Sequence, residues 1–229
     1  KKPAVAEANI KVIQAGYDYG ANTHASVAHT YKVESKTKKP GKYMDIMGNK
    51  ATAYGFIAAA EKAGKRLFLG SYPITPATDV LHELSKHKSL GVTTVQCEDE
   101  IAGCASSIGA SFAGALAVTS TSGPGVCLKS EAMNLAVITE LPLVILNVQR
   151  GGPSTGLPTK SEQTDLLQAL FGRNGESPMP VIAATSPTNC FDAAYYASKM
   201  ALEHMTPVVL LTDAFVANGS GAFKLPDLN

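Results

Sequence analysis

The sequence predicts an α/β protein built on a doubly wound, mostly parallel sheet of six strands with helices on both faces. Three observations carry this prediction. From residue 49 onward, helical and strand patterns alternate along the chain, as they do in parallel sheets. The strand patterns are nearly continuous in apolar residues, which indicates burial on both faces. Hydrophobic residues make up 45% of the 229 residues, enough for one sizeable core.

Six short apolar runs are the predicted strands. Each is bounded by glycine, proline or polar residues, which interrupt regular structure. The helical segments between the runs require right-handed crossovers between parallel neighbours. In chain order the runs are RLFLG (66–70), VTTVQ (92–96), ALAVTST (115–121), PLVILNVQ (142–149), PVIAA (180–184) and PVVLLTD (207–213).

Alanine-rich or amphipathic segments between these runs are the predicted helices. The first ends at Gly64, which suits the left-handed residue that follows many helices. The third opens with the acids EDE (98–100), which the helix dipole favours in a first turn. The segment SGPG (122–125) is predicted to be a sharp turn before the fourth helix. The predicted helices cover residues 49–64, 77–87, 98–114, 126–140, 161–172 and 188–205.

The first 47 residues do not continue this alternation. They hold a helical pattern (7–24) and then the basic stretch YKVESKTKKPGKY (31–43), which we interpret as a solvated linker. Residues 1–48 carry eight lysines and four acids (+4), whereas the remainder carries twelve basic and fifteen acidic residues (−3). We therefore predict two parts of a longer polypeptide: residues 1–47, the tail of a preceding module with its linker, and the α/β domain 48–229.

Composition argues against several classes of partner and site. A net charge of +1 does not favour nucleic acid. No apolar run approaches the ~20 residues of a membrane span, and no signal peptide is visible, so we expect a cytoplasmic protein without a membrane partner. The cysteines at 97, 104, 127 and 190 form no C-x-x-C pair, so the sequence predicts no metal or cluster site in this chain. Most of them are interpreted as buried thiols.

The candidate functional residues follow the predicted strands. Ligands of doubly wound sheets bind beyond the carboxyl ends of the strands. The segments there are SYPITP (71–76), CEDE (97–100), TSGPG (121–125) and RGGPSTGLPTKSEQ (150–163). We therefore expect the site at this edge of the sheet.

Three side chains in these segments are the main candidates. Glu100, beside a helix rich in small residues, could share a proton with a ring nitrogen; alternatively it is one more acid at a helix start. Thr75 lies between two prolines that preset the backbone, although an ordinary proline-rich turn is the alternative. Arg150 follows a central strand and could bind a carboxylate through two parallel hydrogen bonds, unless it is a surface arginine. Lys160 is a weaker candidate for the same task.

The glycine-rich segments give weaker signals. Gly123 and Gly125 would let the backbone approach a ligand, but G-x-G-x-x-G is not completed because Leu128 stands at its last position. The phosphate-binding motif G-x-x-x-x-G-K-[ST] does not occur. Cys127 could be an activated thiol at a helix start, but no adjacent base is evident.

Four of these segments resemble loops of a known family. YPITP (72–76), EDEIAG (98–103), TSGPG (121–125) and QRGGPSTGLPTKSEQTDL (149–166) are similar to the α subunit of 2-oxoacid:ferredoxin oxidoreductases, above all the 2-oxoglutarate type. The similarity covers residue 48 to about residue 225. It implies the thiamine diphosphate-binding fold, with this domain as its pyrimidine-binding half. Because the α part is often fused behind a γ domain, it also implies that residues 1–47 are the tail of such a domain.

The resemblance implies a function as well. These enzymes use thiamine diphosphate, iron–sulfur clusters and coenzyme A to convert a 2-oxoacid into an acyl-CoA and to reduce ferredoxin. Here 2-oxoglutarate, which gives succinyl-CoA, is favoured over pyruvate by resemblance alone. Two other hypotheses stay open: a non-catalytic scaffold or regulatory domain of the same fold, and, less favoured, a Rossmann-type nucleotide binder.

The resemblance also implies roles for individual residues. Glu100 matches the glutamate that hydrogen-bonds N1′ of the aminopyrimidine, and Thr75 matches the hydroxyl near the substrate carbonyl and carboxylate. No G-D-G motif occurs in the sequence, so the diphosphate, its Mg²⁺ and an iron–sulfur cluster would be held by a β subunit of a hetero-oligomer. Alone, the chain would be inactive. The implied substrate-binding residues are Tyr72, Thr75, Arg150 and Lys160, and the implied cofactor-binding residues are Glu100, Ser122, Gly123, Pro124 and Gly125.

Overall fold

The structure, a computed structural model, describes residues 2–23, 31–32, 34 and 39–225. The chain divides into two compact units, Lys1–Pro40 and Gly41–Asn229. The first contains helix α1 (Pro3–Thr23), which buries none of its side chains and matches the helical pattern near the N-terminus. Residues 33 and 35–38 of the predicted linker (31–43) lie outside the described residues. The second unit begins at Gly41, whereas the boundary drawn from the sequence lies at residue 48.

The second unit contains eight strands in its described residues, six of them in one sheet. That sheet is parallel throughout, in the order β3-β2-β4-β5-β7-β6, and all six of its strands were predicted. The strands are β1 (Tyr43–Met47), β2 (Leu67–Ser71), β3 (Val92–Gln96), β4 (Leu116–Thr121), β5 (Leu143–Gln149), β6 (Val181–Ala183), β7 (Pro207–Asp213) and β8 (Ser220–Lys224).

Helices cover both faces of this sheet, which confirms the doubly wound fold. One core layer joins helices α2, α3 and α7 to the sheet, and a second layer joins α4, α5 and α6 to the other face. Neighbouring strand residues alternate between the layers: Val118 packs in the first and Ala117 in the second. The helices are α2 (Gly48–Ala63), α3 (Thr78–Leu84), α4 (Glu100–Phe112), α5 (Gly123–Ile138), α6 (Leu166–Phe171), α7 (Asn189–His204) and α8 (Ala214–Asn218).

The starts of α4 and α5 differ from the predictions for local reasons. Helix α5 begins at Gly123, so the predicted turn is instead the first helical turn, where Pro124 is well tolerated. Helix α4 begins at Glu100 because Asp99 is its N-cap and accepts a hydrogen bond from the Ala102 backbone N–H at 2.8 Å. Glu98 therefore lies outside the helix.

Two strands lie outside the main sheet and were not predicted. β1 pairs with β8 in a two-stranded antiparallel sheet, from Tyr43 opposite Lys224 to Met47 opposite Ser220. The residues of β1 were predicted to belong to the linker. A five-residue strand whose side chains are mostly exposed has little hydrophobic periodicity by which to recognise it.

The strand order reverses between β2 and β4. From β2 the chain continues to β3 on one side, and it then returns to pair β4 on the other side of β2. Such a reversal opens a crevice beyond the carboxyl ends of the two strands, which is where doubly wound proteins bind ligands. Tyr72 follows β2 and Ser122 follows β4, so the fold brings the predicted site segments to this switch point.

Among the described residues, no helix has both the length and the apolar character needed to cross a lipid bilayer.

Candidate functional site

Four residues meet at the switch point, and we call them the switch-point cluster: Tyr72, Glu100, Thr121 and Gly125. The Tyr72 hydroxyl and Thr121 Oγ1 are hydrogen-bonded at 2.9 Å. A Cβ atom on Gly125 would overlap both of these oxygens and would lie 3.0 Å from Glu100 Cγ. Only glycine therefore lets the first turn of α5 pack against the other three residues.

Glu100 is the acid of its segment that faces this cluster. Asp99 caps α4, and Glu98 is exposed before the helix begins. Asp99 thus already caps the start of α4. The Glu100 residue is instead half-buried beside Tyr72 and Gly125. This division of roles weakens the alternative in which Glu100 is simply another acid at a helix start.

Tyr72 is a buried, neutral phenol in this cluster. Burial raises the pKa of the Tyr72 hydroxyl far above its usual value, the hydrogen bond with Thr121 opposes this, and the nearby Glu100 carboxyl raises it further. Because the phenol keeps its proton, it can donate a hydrogen bond to Thr121 or to a neighbouring carboxylate.

Thr75 lies at an exposed turn that several side chains hold in place. Arg150 Nη1 donates to the Thr75 carbonyl at 2.7 Å. Asn49 donates to the Pro76 carbonyl at 2.9 Å, and the Ile74 N–H donates to Thr78 Oγ1 at 2.8 Å. The corner is therefore fixed by distant residues as well as by its two prolines.

Arg150 is 8% exposed, which excludes the surface-arginine alternative. Its Nη2 donates to the Thr155 carbonyl at 2.9 Å, so the guanidinium joins the Thr75 corner to the loop after β5. Its Nε is buried without a partner. Two of the five guanidinium donors are used in these bonds, so Arg150 keeps donors for another acceptor.

The loop after β5, residues 150–165, is bonded to the carboxyl edge of the sheet. Gln163 donates to Asp213, the N-cap of α8, at 2.7 Å. Asp165 accepts from Asn147 at 2.9 Å, and a Cβ on Gly123 would lie 2.7 Å from its carboxylate. These bonds keep residues 161–165 out of the helix, so α6 is shorter than predicted. The exposed Lys160 lies in this loop, apart from the switch-point cluster.

Sequence reasoning missed Lys129, which lies beneath the switch-point cluster. It is fully buried on α5, and its Nζ donates to the Glu100 carbonyl at 3.0 Å. The same Nζ donates to Oγ1 of Thr119, which lies on β4 two residues before Thr121, at 2.9 Å. A signal was available: Lys129 stands between Val126 and Met133 on the inward face of α5, where a lysine is unusual.

The four cysteines differ in how far they are buried. Cys104 and Cys190 are buried as predicted, Cys97 is partly buried, and Cys127 is exposed. Gln168 donates to Cys127 Sγ at 2.7 Å. Among the described residues no three His, Cys, Asp or Glu side chains gather as a metal site.

The residues at the switch point fit the pyrimidine half of thiamine diphosphate. A half-buried carboxyl, a neutral phenol and a helix start with two glycines lie together at the switch point, and Ser122 Oγ is buried at the same helix start without a partner. These groups can hydrogen-bond a heterocycle, whereas they offer no cluster of cations or carboxylates for a diphosphate with its metal ion.

The comparison with protein families agrees with this geometry. Residues 59–229 match the family described as pyruvate flavodoxin/ferredoxin oxidoreductase, thiamine diphosphate-binding. The chain belongs to this oxidoreductase family. The resemblance noted from the four loops is thereby confirmed, and so is thiamine diphosphate as the cofactor of the fold.

Two relatives of this chain are named as 2-oxoglutarate enzymes. The chain is 56% identical over 229 residues to the 2-oxoglutarate oxidoreductase subunit KorA of Mycobacterium tuberculosis, covering 100% of this chain and 35% of that protein. It is 43% identical over 184 residues to the 2-oxoglutarate synthase subunit KorA of Archaeoglobus fulgidus, covering 80% of this chain and 52% of that protein.

A solved structure supports both the fold and the family. The chain superposes with a TM-score of 0.81 and 36% identity on the 2-oxoglutarate:ferredoxin oxidoreductase from Magnetococcus marinus with 2-oxoglutarate, coenzyme A and succinyl-CoA bound, covering 94% of this chain and 37% of that one. The chain thus spans between about a third and a half of the lengths of these relatives.

Proposed function

We propose that this chain forms the pyrimidine-binding half of the active site of a 2-oxoglutarate:ferredoxin oxidoreductase. The observation that carries the proposal is the switch-point cluster, in which Glu100, Tyr72 and Gly125 pack together at the carboxyl ends of the strands. The reaction would convert 2-oxoglutarate, coenzyme A and oxidised ferredoxin into succinyl-CoA, carbon dioxide, a proton and ferredoxin reduced by a pair of electrons.

In this proposal Glu100 is the residue that handles a proton at the cofactor. Thiamine diphosphate, when bound, supplies a thiazolium ring that acts as an electron sink for decarboxylation of the 2-oxoacid. The Glu100 carboxyl would share a proton with N1′ of the aminopyrimidine, and the Tyr72 phenol would orient that carboxyl. The backbone of Ser122, Gly123, Pro124 and Gly125 would border the ring.

The substrate-binding residues would be Thr75, Arg150, Tyr72 and Lys160. The Thr75 hydroxyl is exposed at a corner that Arg150 holds, so it can bind a substrate oxygen at low entropic cost. The remaining donors of Arg150 suit a carboxylate of the substrate. Lys160, exposed in the adjacent loop, would add positive charge for the second carboxylate of 2-oxoglutarate.

The other half of the site would come from a β subunit. No G-D-G motif occurs in this sequence, so the partner would hold the diphosphate with its Mg²⁺, and an iron–sulfur cluster. Large apolar side chains exposed on α4 and α5 support such a hetero-oligomer: Ile101 (52% exposed), Phe112 (84%), Leu128 (54%) and Ile138 (81%). We also propose that residues 1–47 are the tail and linker of a γ domain, and that the enzyme works in the cytoplasm with ferredoxin as its electron acceptor.

The choice of 2-oxoglutarate over pyruvate rests on the relatives. Two proteins 56% and 43% identical to this chain are named as 2-oxoglutarate enzymes, although the family description names pyruvate. Assay of the complete enzyme with each 2-oxoacid decides between them.

The test is a substitution of Glu100 in the full-length enzyme assembled with its β subunit. Glu100→Gln keeps the side-chain shape but cannot share a proton as a carboxyl does. We expect CoA-dependent ferredoxin reduction to fall by about a hundredfold or more. Glu98→Gln, which changes an exposed acid before the helix, is the matched control and is expected to leave the rate unchanged.

Retention of full activity in Glu100→Gln would refute the assignment. If the wild-type complex with thiamine diphosphate turns over neither 2-oxoglutarate nor pyruvate, the scaffold hypothesis replaces the proposed catalytic function.

A further inference from the structure

Lys129 is a buried charged group that the proposed chemistry does not yet use. Its side chain is 0% exposed, although lysine is rarely buried without an ionic partner. Its Nζ has three neighbours: the Glu100 carbonyl at 3.0 Å, Thr119 Oγ1 at 2.9 Å and the Tyr72 ring, whose centroid is 5.4 Å away. No carboxylate in the described part of the chain forms a salt bridge with it.

A lysine in this position is costly to the folded state. Burial lowers the pKa of Lys129, because the ammonium has lost its hydration and has gained only a carbonyl, a hydroxyl and a ring face. Methionine would fill the same space with little such cost. The two residues that the ammonium touches besides Thr119 are Glu100 and Tyr72, two polar members of the proposed pyrimidine site.

The contacts are suited to positioning these two residues. The bond to the Glu100 carbonyl fixes the first residue of α4, which carries the carboxyl. The contact with the Tyr72 ring adds to the hydrogen bond that Thr121 makes with the Tyr72 hydroxyl. Other titratable groups that face Lys129 are Cys104 on α4, Cys97 and Asp99 before α4, and Tyr72 after β2.

We propose that Lys129 is a positioning residue of the thiamine diphosphate site, which holds Glu100 and Tyr72 toward the pyrimidine and supplies a buried positive charge beneath them. The inference rests on the proposed function of Glu100.

The experiment is Lys129→Met in the assembled holoenzyme, with three measurements. We expect the affinity for thiamine diphosphate, measured by titration of the apoenzyme, to fall about tenfold or more. We expect the pH profile of kcat/KM to shift, because the site loses a buried positive charge. The near-UV circular-dichroism band of the bound cofactor should weaken in parallel.

Lys65→Met is the matched control. Lys65 also donates to a backbone carbonyl, that of Gly114 at 3.2 Å, but it is exposed and lies before β2, at the opposite end of the strand from the site. The pH profile and the cofactor affinity of the Lys65→Met enzyme should equal those of the wild type. A Lys129→Met enzyme that is merely less stable, with an unchanged pH profile and cofactor affinity, overturns the proposal.

If Lys129→Met does not assemble, Thr119→Val decides the question. It removes one acceptor of the ammonium while nearly keeping the side-chain shape, and we expect the same shifts in smaller measure; unchanged pH profile and affinity would refute the inference. A wild-type holoenzyme without 2-oxoacid activity would instead refute the proposed function itself, so the two failures are distinguishable.

Discussion

Single atoms decide whether the switch-point cluster can form. Thr121 and Tyr72 share a hydrogen bond directly under Gly125, and the missing side chain of that glycine is what lets Glu100 approach. Gly109 on α4 offers a contrast, because a Cβ atom there would meet no other atom within 4 Å. The two glycines lie on neighbouring helices, but only one of them is required by packing.

Substitution of alanine at these glycines should have opposite effects. Gly125→Ala forces Tyr72, Thr121 or α5 to move, and overpacking of this kind costs about 1–3 kcal/mol. Gly109→Ala lies in open helix and should stabilise the protein by about 0.5–1 kcal/mol. Urea unfolding of the two variants measures both changes. A Gly125→Ala protein as stable as the wild type, with unchanged affinity for thiamine diphosphate, would contradict the packing described for the cluster.

At the scale of elements, the site is assembled by loops that bond to one another across the sheet edge. Arg150 connects the corner after β2 to the loop after β5, through the carbonyls of Thr75 and Thr155. Asp165 connects the same loop to the start of α5. The substrate side of the proposed site therefore depends on one buried guanidinium that bonds to both segments.

Loss of this guanidinium should loosen both loops. Arg150→Met removes two charge-assisted hydrogen bonds, each worth about 1.5–3 kcal/mol. We expect faster amide hydrogen exchange in residues 72–78 and 151–157 and a higher KM for the 2-oxoacid. Arg173→Met is the control, since Arg173 likewise donates to backbone carbonyls but only around the end of α6. Equal exchange rates at residues 72–78 in both variants would rule out this role of Arg150.

At the scale of the whole molecule, each face of the sheet buries one thiol. Cys104 lies in the layer of α4 and α5, and Cys190 lies in the layer of α2 and α7. Burial raises the pKa of each from an ordinary value of 9.0 to about 11. Both core layers therefore contain a group that is harder to ionise in the folded state than in the unfolded state.

This difference makes stability depend on pH in the alkaline range. Below pH 9 both states keep the thiol protonated; between pH 9 and 11 the unfolded chain ionises first, so stability falls as pH rises. Each thiol can account for a loss of about 3 kcal/mol. We expect Cys104→Ala/Cys190→Ala to flatten the decline in unfolding free energy over this range, measured under reducing conditions. Cys127→Ala, at an exposed thiol, should keep the wild-type slope; a double variant with that same slope would refute the prediction.

The sequence predicts most of the scaffold because its signals are local or periodic. Apolar runs identify the six strands of the main sheet, and the segments that follow them contain Tyr72, Glu100 and Gly125. The bonds of Arg150 to Thr75 and of Lys129 to Glu100 were not predictable, since they join residues 75 and 29 positions apart. The strands β1 and β8 were missed for a related reason. Neither strand has enough hydrophobic pattern by itself, and only their pairing over a long stretch of chain reveals them.

The pairing of β1 with β8 brings side by side two segments that are far apart in the sequence. Tyr43 lies opposite Lys224, a residue 181 positions later. All six strands of the parallel sheet lie between these two segments in the chain. The two-stranded sheet therefore closes a long loop of chain, and loss of the β1–β8 hydrogen bonds would free both segments at once.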